Sequence, residues 1–133
     1  MKLEVRETTC RMKIDKNMQD LKSRTKRFAI DCWKLCLEIP KSREYDAWVR
    51  QLIRCSSSVG ANYRASQRAK STADFIYKLK IVEEEADESI YWLELFQEVI
   101  DTNHPEFIKL IKEANELLAI IVASIKTARK NKK

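Results

Sequence analysis

The chain has 133 residues, 35% of them charged and 44% apolar, with a net charge of +6 and only one glycine and two prolines. That length suits one domain able to bury roughly two-thirds of the surface its unfolded form exposes. So few turn residues argue against β-rich folds, and the apolar runs are too short for a membrane-spanning helix.

Residues 1–18 show no sustained apolar period and are expected to form a poorly ordered leader, with the bundle over 19–128 and a basic tail over 129–133. Lys2 and Arg6 are not followed by an apolar signal segment, so a cytoplasmic location is expected. From about Gln19, Leu21, Phe28, Cys32, Leu35 and Ile39 recur near helical spacing, with Trp33 and Leu37 widening the stripe. Pro40 ends this helix, because the residue before a proline avoids the α region.

Ser42 is placed to cap a second helix, with Glu44 and Asp46 near its positive end. Its inner face reads Tyr45, Val49, Leu52, Ser56, Val59 and Tyr63, with Trp48 beside it. The run from Cys55 to Ala61 consists almost wholly of small side chains. Such a run is costly inside a helix and survives where a neighbouring helix comes close, the favoured reading, or where the helix bends. Ser71 is placed to cap a third helix over Thr72 to Asp101, with Asp74 three positions on. A fourth helix starts at Pro105, a residue suited to the first helical turn. Short connections make sequential helices antiparallel, so the expected fold is all-α: an antiparallel up-down-up-down four-helix bundle.

Charge is unevenly placed. Residues 1–27 carry nine basic and four acidic side chains, residues 28–125 twelve and sixteen, and residues 126–133 five and none. Residues 42–71 hold six basic and two acidic side chains, whereas residues 72–101 hold two and nine. Opposite signs on adjacent antiparallel helices suppress alternative pairings.

No enzymatic constellation emerges. The lone histidine, His104, lacks the Glu-x-x-His context of a carboxylate metal bundle and reads as a cap or turn residue. Ser56, Ser57 and Ser58 lack a nucleophile turn, and Gly60 has no companion glycine for a phosphate loop. The cysteines Cys10, Cys32, Cys36 and Cys55 form no C-x-x-C pair and read as reduced, small apolar residues. Neither a metal nor a cofactor is expected. Arg50, Arg54, Arg64, Arg68 and Lys70, together with Lys126, Arg129 and Lys130 of the tail, have two readings. They satisfy helix ends and solubility, or they track a nucleic-acid backbone.

The segments Gln51–Arg64, Ala73–Ser89 and Tyr91–Leu95 resemble bacterial four helix bundle proteins encoded within intervening sequences of large-subunit ribosomal RNA genes. The resemblance covers about residues 22–128, and its most specific part is the Ser-Ser-x-x-x-Ala-Asn core ending at Asn62. That family is related to the accessory variability determinant of diversity-generating retroelements, a basic bundle that binds nucleic acid and a reverse transcriptase. The resemblance implies a homopentameric ring, RNA or DNA as ligand, a reverse transcriptase or other protein as partner, and a hydrogen-bonding structural role for Asn62. The expected function is a non-enzymatic, oligomeric nucleic-acid-binding adaptor. The alternative is a protein-interaction module that docks a basic partner through its acidic third helix without touching nucleic acid.

Overall fold

Serine caps open the two central helices. Ser42 Oγ accepts the backbone N–H of Tyr45 at 3.0 Å, and Ser71 Oγ accepts that of Asp74 at 3.1 Å. Each satisfies a donor that the first turn of a helix leaves without an internal partner. The structure, a computed structural model, describes the backbone of residues 11–131 and the side chains of residues 21–131. Its elements are α1 (Arg11–Glu38), α2 (Arg43–Ser66), α3 (Thr72–Ile100) and α4 (Pro105–Asn131). Residues 1–10, the larger part of the expected leader, and the last two residues of the tail lie outside the described residues. Within them α1 begins at Arg11, upstream of the Gln19 at which apolar periodicity sets in.

The four helices pack around a square: α1 on α2, α2 on α3, α3 on α4, and α4 back on α1, with the diagonal pairs separated by the core. This is the antiparallel up-down-up-down bundle, and no strand occurs among the described residues. None of the described helices is long and apolar enough to cross a membrane. Buried positions follow a three-four alternation on every helix, for example Leu21, Thr25, Phe28, Cys32, Leu35 and Ile39 on α1. Phe96 of α3 lies at the centre of one layer, 5.5 Å from the Trp48 ring, 6.2 Å from Tyr45 and 6.5 Å from Phe107.

Trp48 and Trp92, both half-buried, stand 6.2 Å apart and pack against the core at the α2–α3 seam. Trp33 and Leu37, read as widening the inner stripe of α1, are 51% and 59% exposed. Cys32 is buried as the stripe predicts, and the small Cys36 joins it on the inward face.

The small-residue run of α2 does admit a close neighbour. A Cβ added at Gly60 would lie 3.0 Å from Thr25 Oγ1 and 3.3 Å from Thr25 Cβ on α1. Thr25 is itself buried, its hydroxyl donating to the Leu21 carbonyl at 2.7 Å, so it has nowhere to retreat. Cys55, on the other flank of α2, accepts from Ser89 Oγ of α3 at 3.3 Å. Gly60→Leu is therefore expected to lower unfolding stability by about 1–3 kcal/mol through overpacking, read as a reduced urea midpoint. An unchanged midpoint would refute the close-packing account.

Candidate nucleic-acid interface

The bundle sorts charge in two directions. Across helices, α2 is basic and α3 acidic, and the seam between them is bridged by Arg54. Its Nη2 lies 2.6 Å from Glu88 Oε2 and its Nη1 3.3 Å from Glu85 Oε1. Glu88 also accepts from Trp92 Nε1 at 3.1 Å. The Arg54 hydrogen bond, helped by the Trp92 donor, holds the Glu88 carboxyl below its usual range. Arg54 is half-exposed and committed to α3, so its first role is to fix helix pairing. Across the opposite seam Arg24 grips Glu113 bidentately, at 2.9 and 2.7 Å, and reaches Glu116 at 2.9 Å.

Along the bundle axis a second separation appears. Leu21, Tyr63, Gln67, Phe75, Thr127 and Asn131 line one cleft, which brings Leu21 of α1, the end of α2, the start of α3 and the end of α4 together. At this end stand Arg64, Arg68, Lys70, Lys126, Arg129 and Lys130, all exposed. Of these, Lys70 sits beside Asp74, which accepts its backbone N–H at 3.0 Å and binds Lys78 Nζ at 2.7 Å. The other five have no acidic partner among the described residues. Arg50 is likewise exposed and unpaired there, but lies farther down α2 toward the other end. That other end carries Glu38, Glu44, Asp46, Glu98, Asp101 and Glu106 against Lys41 and Arg43. The eight cations picked out by spacing thus divide into one end cluster of six, one side residue and one structural ion pair.

Two further cations, Lys22 and Lys26, join the basic end from α1 and were not singled out in the sequence. They line a groove with Arg64 between α1 and α2. Their i, i+4 spacing was visible, but its pairing with Arg64 requires knowing which faces of the two helices adjoin.

The remaining candidates are structural. His104 Nδ1 accepts the Glu106 backbone N–H at 3.1 Å, and its ring meets Phe107 edge-on at 5.2 Å, so it caps α4. Ser57 and Ser58 donate to main-chain carbonyls of Ile53 and Arg54. Asn62 Nδ2 donates to the Ser58 carbonyl at 2.8 Å, giving it the expected hydrogen-bonding role within an unbroken α2. Among the described residues no group of three or more His, Cys, Asp or Glu is placed to hold a metal ion. Cys32, Cys36 and Cys55 are free thiols; burial pushes Cys36 and Cys55 up to about 11 and Cys32 higher still. At about pH 8 a thiol reagent is expected to label Cys36 and Cys55 roughly 100-fold more slowly than in the unfolded chain, and Cys32 more slowly still. Labelling at the unfolded rate in the native protein would refute it.

An antiparallel four-helix bundle with a basic end and no catalytic constellation among its described residues is the class this geometry defines. Residues 18–123 match the 23S rRNA-intervening sequence protein family, and the chain belongs to that family. It is also similar to a crystallised protein of unknown function from the S23 ribosomal protein family of Bacteroides thetaiotaomicron VPI-5482. The TM-score is 0.73 and the identity 29%, over 80% of this chain and 98% of that one. No curated protein matches the chain.

Proposed function

We propose that this chain is a non-enzymatic, cytoplasmic adaptor that binds the phosphate backbone of RNA or DNA through the basic end of the bundle. The observation that carries this reading is the gathering of Arg64, Arg68, Lys70, Lys126, Arg129 and Lys130 at one end, where Asp74 is the acidic side chain beside them. Local pairing leaves most of that cluster unneutralised, and unneutralised cations release counterions when they meet phosphate. Contacts of this kind position a strand without reading its sequence. Titration of a generic RNA against salt tests the reading. The logarithm of affinity should fall linearly with the logarithm of salt concentration, at roughly 0.7–0.9 per phosphate neutralised.

Absence of binding at low salt would overturn it and favour the second reading, docking of a basic protein on α3. Tyr91, 54% exposed with Asp87, Glu88 and Glu94 at helical spacing on α3, supports that second reading.

The same adaptor is proposed to be a homopentamer. Exposed Tyr91 and Val99 on α3 and Ile108 on α4 leave apolar surface that a closed ring of copies would cover without leaving an edge. Light scattering at micromolar protein is expected to show about five times the 15.7 kDa chain mass, and a clean monomer would refute assembly.

A further inference from the structure

The groove between α1 and α2 has a volume of about 560 Å³, and its walls carry Lys22, Lys26 and Arg64. None of these three has an acidic partner among the described residues, and all three are exposed. Its floor is shallow and smooth because Gly60, Ala61 and Ala29 offer almost no side chain there. Three like charges held around a small-residue floor repel one another and gain nothing from each other. An anion lying between them removes that repulsion and replaces the water over the floor.

The groove does not end in another basic residue. Ala29 lines it, and four residues farther along the same face of α1 comes Trp33, 51% exposed. Lys22, Lys26, Ala29 and Trp33 fall on one stripe at spacings of four, three and four, so Trp33 stands about 10 Å beyond Lys26. An exposed indole in line with a basic groove is the pairing used on single strands, where cations track the backbone and aromatic faces receive unpaired bases. A duplex buries its base faces in its own stack and offers Trp33 nothing to stack on.

We infer that the α1–α2 groove seats the phosphates of a single nucleic-acid strand between Lys22, Lys26 and Arg64, and that a base of the same strand stacks on Trp33. This rests on the nucleic-acid reading above and narrows it to single strands and to one groove.

The probe is a fluorescein-labelled oligo(U) of about twelve nucleotides, compared with an RNA duplex of equal length, on the full chain. Wild type should prefer the single strand, and oligo(U) should quench tryptophan fluorescence. Trp33→Ala should lower oligo(U) affinity roughly tenfold with an unchanged salt slope, because stacking releases no counterions. Lys22→Gln with Lys26→Gln should reduce the slope by about 1.4, the single-strand value for two phosphates. Ala61→Trp changes no charge and replaces an exposed residue, yet it should weaken binding by filling the groove. Each variant is also sedimented, and its assembly mass should equal that of wild type.

If Trp33→Ala and Ala61→Trp bind oligo(U) like wild type, or the duplex binds equally well, the groove assignment is overturned while general phosphate binding by the basic end survives. A fall in assembly mass for either variant would make this face a subunit contact and overturn the assignment equally. Failure of wild type to bind either RNA at low salt would overturn the parent reading and the groove together.

Discussion

Phe96→Ala is expected to lower unfolding stability by about 3–5 kcal/mol, the range for deleting a fully buried aromatic ring. The ring sits where α2, α3 and α4 meet, in contact distance of Tyr45, Trp48 and Phe107, and it is completely buried. Its removal forfeits the transfer free energy of the ring and leaves a cavity. Three aromatic neighbours anchored on two other helices cannot all collapse into that space. The edge-on contact with Trp48 adds its own attraction, about 0.5–1.5 kcal/mol beyond burial. For a chain of this length the loss corresponds to a fall in Tm of roughly 10–20 °C. Glu94→Ala, on the exposed face of the same helix, supplies the contrast and should stay within about 0.5 kcal/mol of wild type. A Phe96→Ala cost under about 1 kcal/mol would mean that this layer is not the centre of the core.

The fold was legible because its signals are local. Ser42, Ser71 and Pro105 act within three or four residues of themselves, and the three-four apolar rhythm of α3 needs no partner to be recognised. What remained ambiguous depends on which flank of a stripe meets which neighbour. On α1 a wide stripe containing Cys32, Trp33, Cys36 and Leu37 has two self-consistent inward faces. Close approach of Gly60 and burial of Thr25 select the narrow one. The stripe through Leu21, Phe28, Cys32, Leu35 and Ile39 is legible from spacing and is buried. Only its width is not, because the large apolar Trp33 and Leu37 widen it on one flank whereas the small Cys36 is the residue buried. Thr25 carries no apolar signal for a related reason: its hydroxyl is satisfied by its own helix, which lets a polar residue serve as core.

The candidate site was legible only in part, and Arg54 shows why. In the sequence it is one of an i, i+4 arginine pair with Arg50, indistinguishable from Arg64 with Arg68. In space it lies against Glu85 and Glu88, thirty-odd positions away on another helix, and is consumed there. Conversely, Lys22 and Lys26 looked like ordinary solvated lysines until the α1–α2 groove placed them beside Arg64. Charge counts per helix captured the α2–α3 contrast, but the separation along the axis follows from chain direction. Antiparallel order puts the end of α2 and the end of α4 at the same end of the bundle, and so carries basic segments distant in sequence together there.

That division of the arginines yields the sharpest functional contrast. Arg64→Ala combined with Arg68→Ala is expected to reduce the salt slope of RNA binding by about 1.4–1.8, at 0.7–0.9 per contact, with little change in stability. Both side chains are exposed and without an acidic partner among the described residues, so the folded state loses no ion pair with them. Deleting residues 126–133 removes five further cations and should lower the slope again. Arg54→Ala should behave in the opposite manner. It releases Glu85 and Glu88 from their partner, so stability should fall, though only by about 1 kcal/mol or less because the pair is exposed to solvent. The RNA salt slope should hardly move. If Arg54→Ala instead lowers the slope as much as the double variant, phosphate competes successfully with two carboxylates for that guanidinium. The binding surface would then run along the side of α2 and not across the end of the bundle.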